Sequence, residues 1–263
     1  MRTLPRVFVV LLAVCAALLA GCQQSGKVRQ ADAQPVVLVA GASGRTGQEV
    51  VKLLLARGYQ VRALVRDPAA AADMFAGKVQ IMVGDVREPA NLGPAMRGAR
   101  FVVSAVGSNT RKDPTDNPQA VDFGGVRNLV EAARAADVEQ FVLISAMGVT
   151  DPDHYLNKIL DNVLQWKLKG ENVLRASGLR YTIVRPGGLT DEPGGRHGIR
   201  VMQGDSPEQG LIPRADVAIV CVHALGDPAA INRTIEILSD ETRPPADATD
   251  FFAGLRPDPP AGS

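Results

Sequence analysis

A doubly wound α/β fold, one parallel sheet with helices on both faces, is what this sequence predicts. Short apolar runs recur at 36–40, 61–65, 79–83, 101–106, 141–145, 181–184 and 234–238. Helical patterns separate them, and such alternation means crossover connections within a parallel sheet. The runs mostly lack strict polar alternation, as strands buried on both faces do.

The elements follow in order. The first run, 36–40, ends at Gly41. Residues 46–57 then take a helical period, with Gly47, Val50, Val51, Leu54 and Leu55 on one face and Gly58 as the stop. The run 61–65 alternates like a strand. Further helical patterns lie at 69–76, 89–97, 119–136 and 157–176, and a last helix near 215–225 precedes the strand at 234–238. No second series and no internal repeat is visible, so residues 36–239 read as a single domain. Residues 240–263 contain Pro244, Pro245, Pro257, Pro259 and Pro260 and read as an irregular tail.

Composition narrows the class. Of 263 residues, 46% are hydrophobic and 22% charged, which excludes a disordered chain. Three cysteines exclude a disulfide scaffold and a multi-zinc module. Lys plus Arg number 29 against 28 Asp plus Glu, so no strong field attracts nucleic acid.

The N-terminus reads as an address. Arg2 and Arg6 precede an apolar run of 14 residues, 7–20, shorter than the roughly 20 that a membrane span needs. A positive start, a short apolar core and small residues after it make a secretory signal. The ending Leu19-Ala20-Gly21-Cys22 resembles the bacterial lipobox, which implies cleavage before Cys22 and lipidation of its thiol. The expectation is therefore a signal peptide over 1–21, a polar tether over 22–35, and a membrane-anchored protein of the cell envelope. Gln23, rather than Asp, points to the periplasmic side of the outer membrane. Cleavage leaves 27 basic against 28 acidic residues, a net charge of −1. The other reading is a cytoplasmic protein whose true start lies later, for instance near Val28.

The chemistry centres on Gly41-Ala42-Ser43-Gly44-Arg45-Thr46-Gly47, between the first strand and the first helix. In a GxxGxxG loop, Gly41 turns the chain, Gly44 lets the backbone approach a pyrophosphate, and Gly47 lets helix pack on strand. The helix N-terminus adds free N–H groups and a positive dipole end. This strand–loop–helix context predicts dinucleotide binding.

The end of the second strand selects the cofactor. An acidic residue there would grip the ribose hydroxyls of NAD. Arg66 stands there, 19 residues after Gly47, and Arg45 lies within the loop. Two guanidinium groups suit a 2′-phosphate, so NADP is favoured over NAD. In the other reading Arg66 is a solvated strand end and Asp67 takes the ribose. Further on, Gly84-Asp85-Val86 closes the third strand and Ala105-Val106-Gly107 the fourth. Asp85 either accepts from the adenine amino group or caps the next helix.

Residues 36–239 resemble the atypical short-chain dehydrogenase/reductase superfamily, in its NmrA-like NAD(P)-binding branch. The matching stretches are VVLVAGASGRTGQEVVKLLLARGYQVRALVRDP, GDV, FVLISAMGV, RASGLRYTIVRPGGL and IPRADVA. The resemblance implies a Rossmann fold with a small substrate-capping part from later loops. It implies cofactor contacts from Gly41, Ser43, Gly44, Arg45, Thr46, Gly47, Arg66, Asp85, Val86, Ala105 and Gly107, with Pro186, Gly187, Gly188 and Leu189 facing the nicotinamide.

Catalysis departs from the family pattern. Typical active members carry Tyr-x-x-x-Lys on the helix after strand five. Here the family spacing from Lys to a downstream Glu selects Lys167 and Glu171, but Val163 stands where the Tyr belongs. Tyr155 has Ile159 four residues on and does not form the motif either. Lys167 shares a helical stripe with Leu160, Leu164, Glu171 and Leu174. It either touches the cofactor ribose or forms an i,i+4 pair with Glu171. Ser145, at the end of strand five, is a substrate-contact candidate or a strand-end hydrogen bond. Trp166 covers a pocket or fills core. His154, His197 and His223 are too scattered for a metal site, and His197 lies in a loop that could meet substrate. Cys221 reads as core.

Two functions fit these residues. One is an NAD(P)H-dependent oxidoreductase with an altered proton path through water, Ser145 or Tyr155. The other is a non-catalytic dinucleotide-binding sensor, scaffold or assembly factor.

Overall fold

The computed structural model describes residues 34–111, 113–245 and 250–260. The expected signal peptide, most of the tether and Cys22 therefore lie outside the described residues. Residues Gln34–Ser263 form one compact unit.

Its first half is three crossover units. β1 (Val36–Ala40) leads through the glycine loop into α1 (Arg45–Ala56), then β2 (Gln60–Val65), α2 (Pro68–Phe75) and β3 (Gln80–Val83). Asp67 caps α2 by accepting from the Ala69 and Ala70 N–H groups, and Pro68 opens its first turn. The segment expected as one helix at 89–97 is a 3₁₀ turn, Pro89–Asn91, followed by the short α3 (Leu92–Met96). β4 (Phe101–Ser104), α4 (Val126–Ala135), β5 (Gln140–Ile144), α5 (Tyr155–Ile159), α6 (Val163–Arg175) and β6 (Tyr181–Pro186) follow.

The long helix expected at 119–136 begins as a π-helical stretch, Gln119–Gly125. The one expected at 157–176 breaks between α5 and α6, where Asp161 and Asn162 take positive φ. Then come β7 (Gly188–Thr190), β8 (Gly198–Met202), β9 (Leu211–Pro213), α7 (Arg214–Ala224) and β10 (Arg233–Asp240). The three strands β7, β8 and β9 were not legible in the sequence.

The main sheet runs β3-β2-β1-β4-β5-β6-β10-β8, parallel except for β10 with β8, and β7 pairs separately with β9. The order 3-2-1-4-5-6 is that of a Rossmann sheet, with its switch point between β1 and β4. One face packs under α1 and α7, with Val39, Val50, Leu54, Val103, Val217 and Cys221 in a single cluster. The other packs under α3, α4 and α6, with Leu38, Leu129, Phe141, Leu174 and Ile183. Among its described residues the tail holds no helix or strand after β10, but it is docked. Phe251 and Phe252 join the first core, and the Asp258 carboxylate accepts from the Tyr181 hydroxyl at 2.9 Å. Burial and that neighbouring carboxylate push the Tyr181 phenol well above its ordinary pKa.

A buried ion cluster ties α6 to β6. Glu171 is fully buried and accepts from Arg185 Nε at 3.0 Å and Nη2 at 2.7 Å, and from Arg175 at 2.8 Å. Removing one partner strands a buried charge. Glu171→Ala is therefore expected to cost on the order of 3 kcal/mol in urea denaturation, against well under 1 kcal/mol for a change at the exposed Glu131.

Candidate functional site

The site is built from the backbone at β1 outward. Gly41 leaves the strand with φ +76°, and a Cβ there would stand 2.7 Å from the Ala105 carbonyl oxygen. The Gly44 N–H donates to the Gly41 carbonyl at 3.0 Å. At Gly47 a Cβ would lie 2.1 Å from that same oxygen, so the first turn of α1 rests directly on the loop. No side chain caps α1, and its first turn holds no acidic residue. Its N–H groups and positive dipole end are left for an anion.

A cleft of about 240 Å³ opens here at the carboxyl edge of the sheet. Gly41, Ser43, Gly44, Arg66, Asp85, Val86, Ala105 and Gly107 wall it, joined by Asn109 and Asp116 from the loop after β4. A glycine cradle that admits no Cβ, beside an unopposed helix N-terminus, fits a pyrophosphate. Thr46 and Gly47 lie in the first turn of α1 behind this wall.

Both arginines nominated for a 2′-phosphate already hold carboxylates. Arg66 Nη1 lies 2.7 Å from Asp116 Oδ2, and Arg45 Nη1 lies 2.6 Å from Asp191 Oδ2. Asp191 also takes Arg214 at 2.6 Å, in a separate hollow between α1 and α7. Asp85 accepts from the Arg87 N–H at 2.9 Å and pairs with the Arg87 guanidinium at 2.6 Å. Burial alone would raise its pKa, but the Arg87 bonds and charge outweigh this and hold the carboxyl below its ordinary value. Asp85 thus caps the turn that follows it. Asp67 caps α2.

The second half of the site surrounds Lys167. Its ammonium lies 2.7 Å from Asp122 Oδ1, and the Asp122 side chain is fully buried. The other Asp122 oxygen accepts from the Ser108 N–H at 3.1 Å. Glu171 is not the partner of Lys167, because Arg175 and Arg185 occupy it. Gly170 permits the approach: a Cβ there would stand 2.7 Å from the Asp122 carbonyl oxygen. The hydroxyls of Ser145 and Ser104, at the carboxyl ends of β5 and β4, are buried without a hydrogen-bond partner. By strand alternation both lie on the α4–α6 face, with Leu143 and Val102.

Other candidates have local explanations. The Gly187 N–H donates to Ile237 at 3.1 Å, and a Cβ there would stand 2.3 Å from Leu238. The Pro186 carbonyl accepts from the Met147 N–H at 3.0 Å. His154 caps α5 and stacks on the exposed Tyr155 at 4.8 Å. Trp166 packs against Phe123 at 5.9 Å, under the Lys169 ammonium at 3.9 Å. His223 meets Arg57 at 2.6 Å, and burial together with that charge lowers its pKa. Cys221 is buried, and burial pushes its thiol up and out of reactivity. Among the described residues no group of His, Cys, Asp or Glu is arranged to hold a metal.

Sequence reasoning missed Asp122, Ser104 and Asp116. Asp122 left one signal, an isolated acid inside an apolar helical pattern. Such an acid needs a buried cation.

A glycine-loop βαβ unit at the switch point of a parallel sheet defines the chain as a dinucleotide-binding protein. The NAD(P)H-binding family model matches residues 41–228, and the chain belongs to that family, as an NAD(P)-binding protein of the atypical short-chain dehydrogenase/reductase type. It is 38% identical over 239 residues to the chloroplastic protein At2g37660 of Arabidopsis thaliana, covering 82% of this chain and 73% of that one. It is 33% identical over 258 residues to sanguinarine reductase of Eschscholzia californica, covering 83% and 94%. A solved structure, a putative NAD-dependent epimerase/dehydratase from Bacillus halodurans, matches with a TM-score of 0.71 at 26% identity, covering 80% of this chain and 96% of that one.

These relatives correct the expected address. A lipid-anchored place in the cell envelope is overturned, because At2g37660, alike over most of the chain, is a chloroplastic protein. No helix among the described residues is long and apolar enough to cross a membrane. A basic start and a short apolar run are features that several kinds of targeting segment share. The four residues ending at Cys22 were too short a pattern to choose among them.

Gly47→Ala tests the cradle. It is expected to cost about 1–3 kcal/mol of stability by overpacking and to weaken NADPH binding in a fluorescence titration, with Gly93→Ala as the control, an exposed position of ordinary φ where no atom crowds the Cβ.

Proposed function

We propose that the protein is an NADP(H)-dependent oxidoreductase that works without the usual tyrosine. One observation carries this reading: the Lys167–Asp122 pair lies on the same sheet face as a buried, unpartnered Ser145 hydroxyl. A hydroxyl kept free of protein partners in a buried place is available to a ligand oxygen. The bound nicotinamide supplies the hydride.

This chain's own residues then have defined work. The glycine loop and the α1 N-terminus hold the pyrophosphate. Lys167, fixed by Asp122, donates to the cofactor ribose. Ser145 donates to the substrate oxygen and, with water, delivers the proton that the missing tyrosine would supply. Pro186 and Gly187, at the end of β6, border the nicotinamide. Arg66 and Arg45 support the choice of NADP over NAD through their match to a 2′-phosphate. A reductive activity is in keeping with the likeness to sanguinarine reductase.

Val163, four residues before Lys167, favours a second reading: a dinucleotide-binding sensor or assembly factor without turnover. NADPH oxidation measured against panels of quinones and aldehydes separates the two. Turnover is expected, with Ser145→Ala lowering kcat on the order of a hundredfold while NADPH affinity stays. Lys167→Ala is expected to weaken NADPH binding about tenfold. Tight NADPH binding with no turnover across the panel would establish the second reading.

A further inference from the structure

We propose that Asp116 is an internal competitor for the cofactor's 2′-phosphate, and so a residue that sets the choice between NADP and NAD. This deepens the NADP reading and rests on it for the position of the phosphate at Arg66.

The observations are local and concordant. Arg66 stands at the carboxyl end of β2, where a dinucleotide's ribose 2′ substituent is read. Its guanidinium is about half exposed, yet Nη1 is engaged at 2.7 Å by Asp116, whose side chain is 3% exposed. Asp116 lines the same cleft as the glycine loop. It is aimed rather than free, since its Oδ1 accepts from the Asn109 N–H at 3.0 Å while Oδ2 takes Arg66. A carboxylate on a guanidinium makes the same kind of charged contact as a phosphate oxygen, so Asp116 stands where the phosphate would seek its contact.

The surrounding charge sharpens the competition. Arg87 is committed to Asp85 at 2.6 Å and to Asp113 at 3.3 Å, and it also donates to the Thr115 hydroxyl at 2.8 Å. Among the described residues that line the cleft, Arg66 is the one cation, and Asp116 already holds it. Arg45, the other nominated cation, is held by Asp191 at 2.6 Å, but both side chains are more than half exposed. Such a pair is weak and exchanges readily. Asp116 is the buried partner, and its carboxylate is a negative charge on Arg66 that a 2′-phosphate must share the guanidinium with and a 2′-hydroxyl need not oppose.

The charges therefore separate the two cofactors. NADPH must share or take Arg66 from Asp116 and tolerate the carboxylate nearby. NADH leaves the pair intact and can use its acceptor oxygens. A merely structural Asp116, holding the loop after β4 in place, would affect both cofactors alike.

The test is the ratio of NADH to NADPH dissociation constants, measured by fluorescence titration on the full chain. Asp116→Asn keeps an acceptor for the Asn109 N–H and removes the charge. It is expected to shift the ratio about tenfold toward NADPH. Asp116→Ser removes the charge with a smaller side chain and must shift the ratio the same way, which guards against a folding defect in either variant. In an Arg66→Ala background the shift must shrink. An unchanged ratio in both variants, a parallel loss of both cofactors, or a full shift without Arg66 would overturn the proposal. A wild-type protein that binds NADH more tightly would overturn the NADP reading alone, because Asp116 is judged on the shift between variants.

Discussion

The close passage of Gly47 over the Gly41 carbonyl is the constraint on which the rest depends. With a Cβ only 2.1 Å from that oxygen, no other residue fits without moving the loop. The contact sets the height of α1 above β1. That height brings the helix N-terminus to the carboxyl edge of the sheet, between β1 and β4, where chain connections part and leave a cleft. The same edge presents the ends of β2, β3 and β5, and so Arg66, Asp85 and Ser145. A second close approach, Gly170 against the Asp122 backbone, works in the same manner for Lys167. In both places the missing side chain is what allows a charged or polar group to be positioned.

Electrostatics across the site follow one rule: almost every cation already has a carboxylate. Arg45, Arg66, Arg87 and Lys167 sit on Asp191, Asp116, Asp85 and Asp122. The pairs differ in burial, and burial decides which of them can yield. The exposed Arg45–Asp191 pair contributes little and opens easily. The Lys167–Asp122 pair, with a fully buried carboxylate, is expensive to break. The exposed, exchangeable pair thus lies beside the glycine loop, and the fixed one joins α6 to the π-helical stretch.

Much of the fold was legible because buried parallel strands and amphipathic helices write strong local patterns. The runs from 36 to 144 and the glycine loop each report their own environment. The 3₁₀ turn at Pro89–Asn91 and the π stretch at Gln119–Gly125 were not visible, since both keep a helical period while changing the hydrogen bonding. β7 and β9 have three residues each, and the pairing of β7 with β9 and of β8 with β10 is long-range. The site divides in the same way. Gly41, Ser43 and Gly44 announced themselves within seven residues of sequence. The partner of Lys167 did not, because Asp122 lies on a different element and only tertiary packing brings it close. Helical spacing offered Glu171 instead, without knowledge that Arg185 arrives from β6 to claim it.

The docked tail has a consequence for how the chain is made. Phe251 and Phe252 complete the core beneath α7, and Asp258 reaches back to Tyr181 and Thr234 on β6 and β10. During vectorial synthesis the strands emerge before the residues that seal them. The sheet must therefore wait on the ribosome with one edge of its core open, and a nascent chain stalled before residue 250 would present that apolar gap to chaperones.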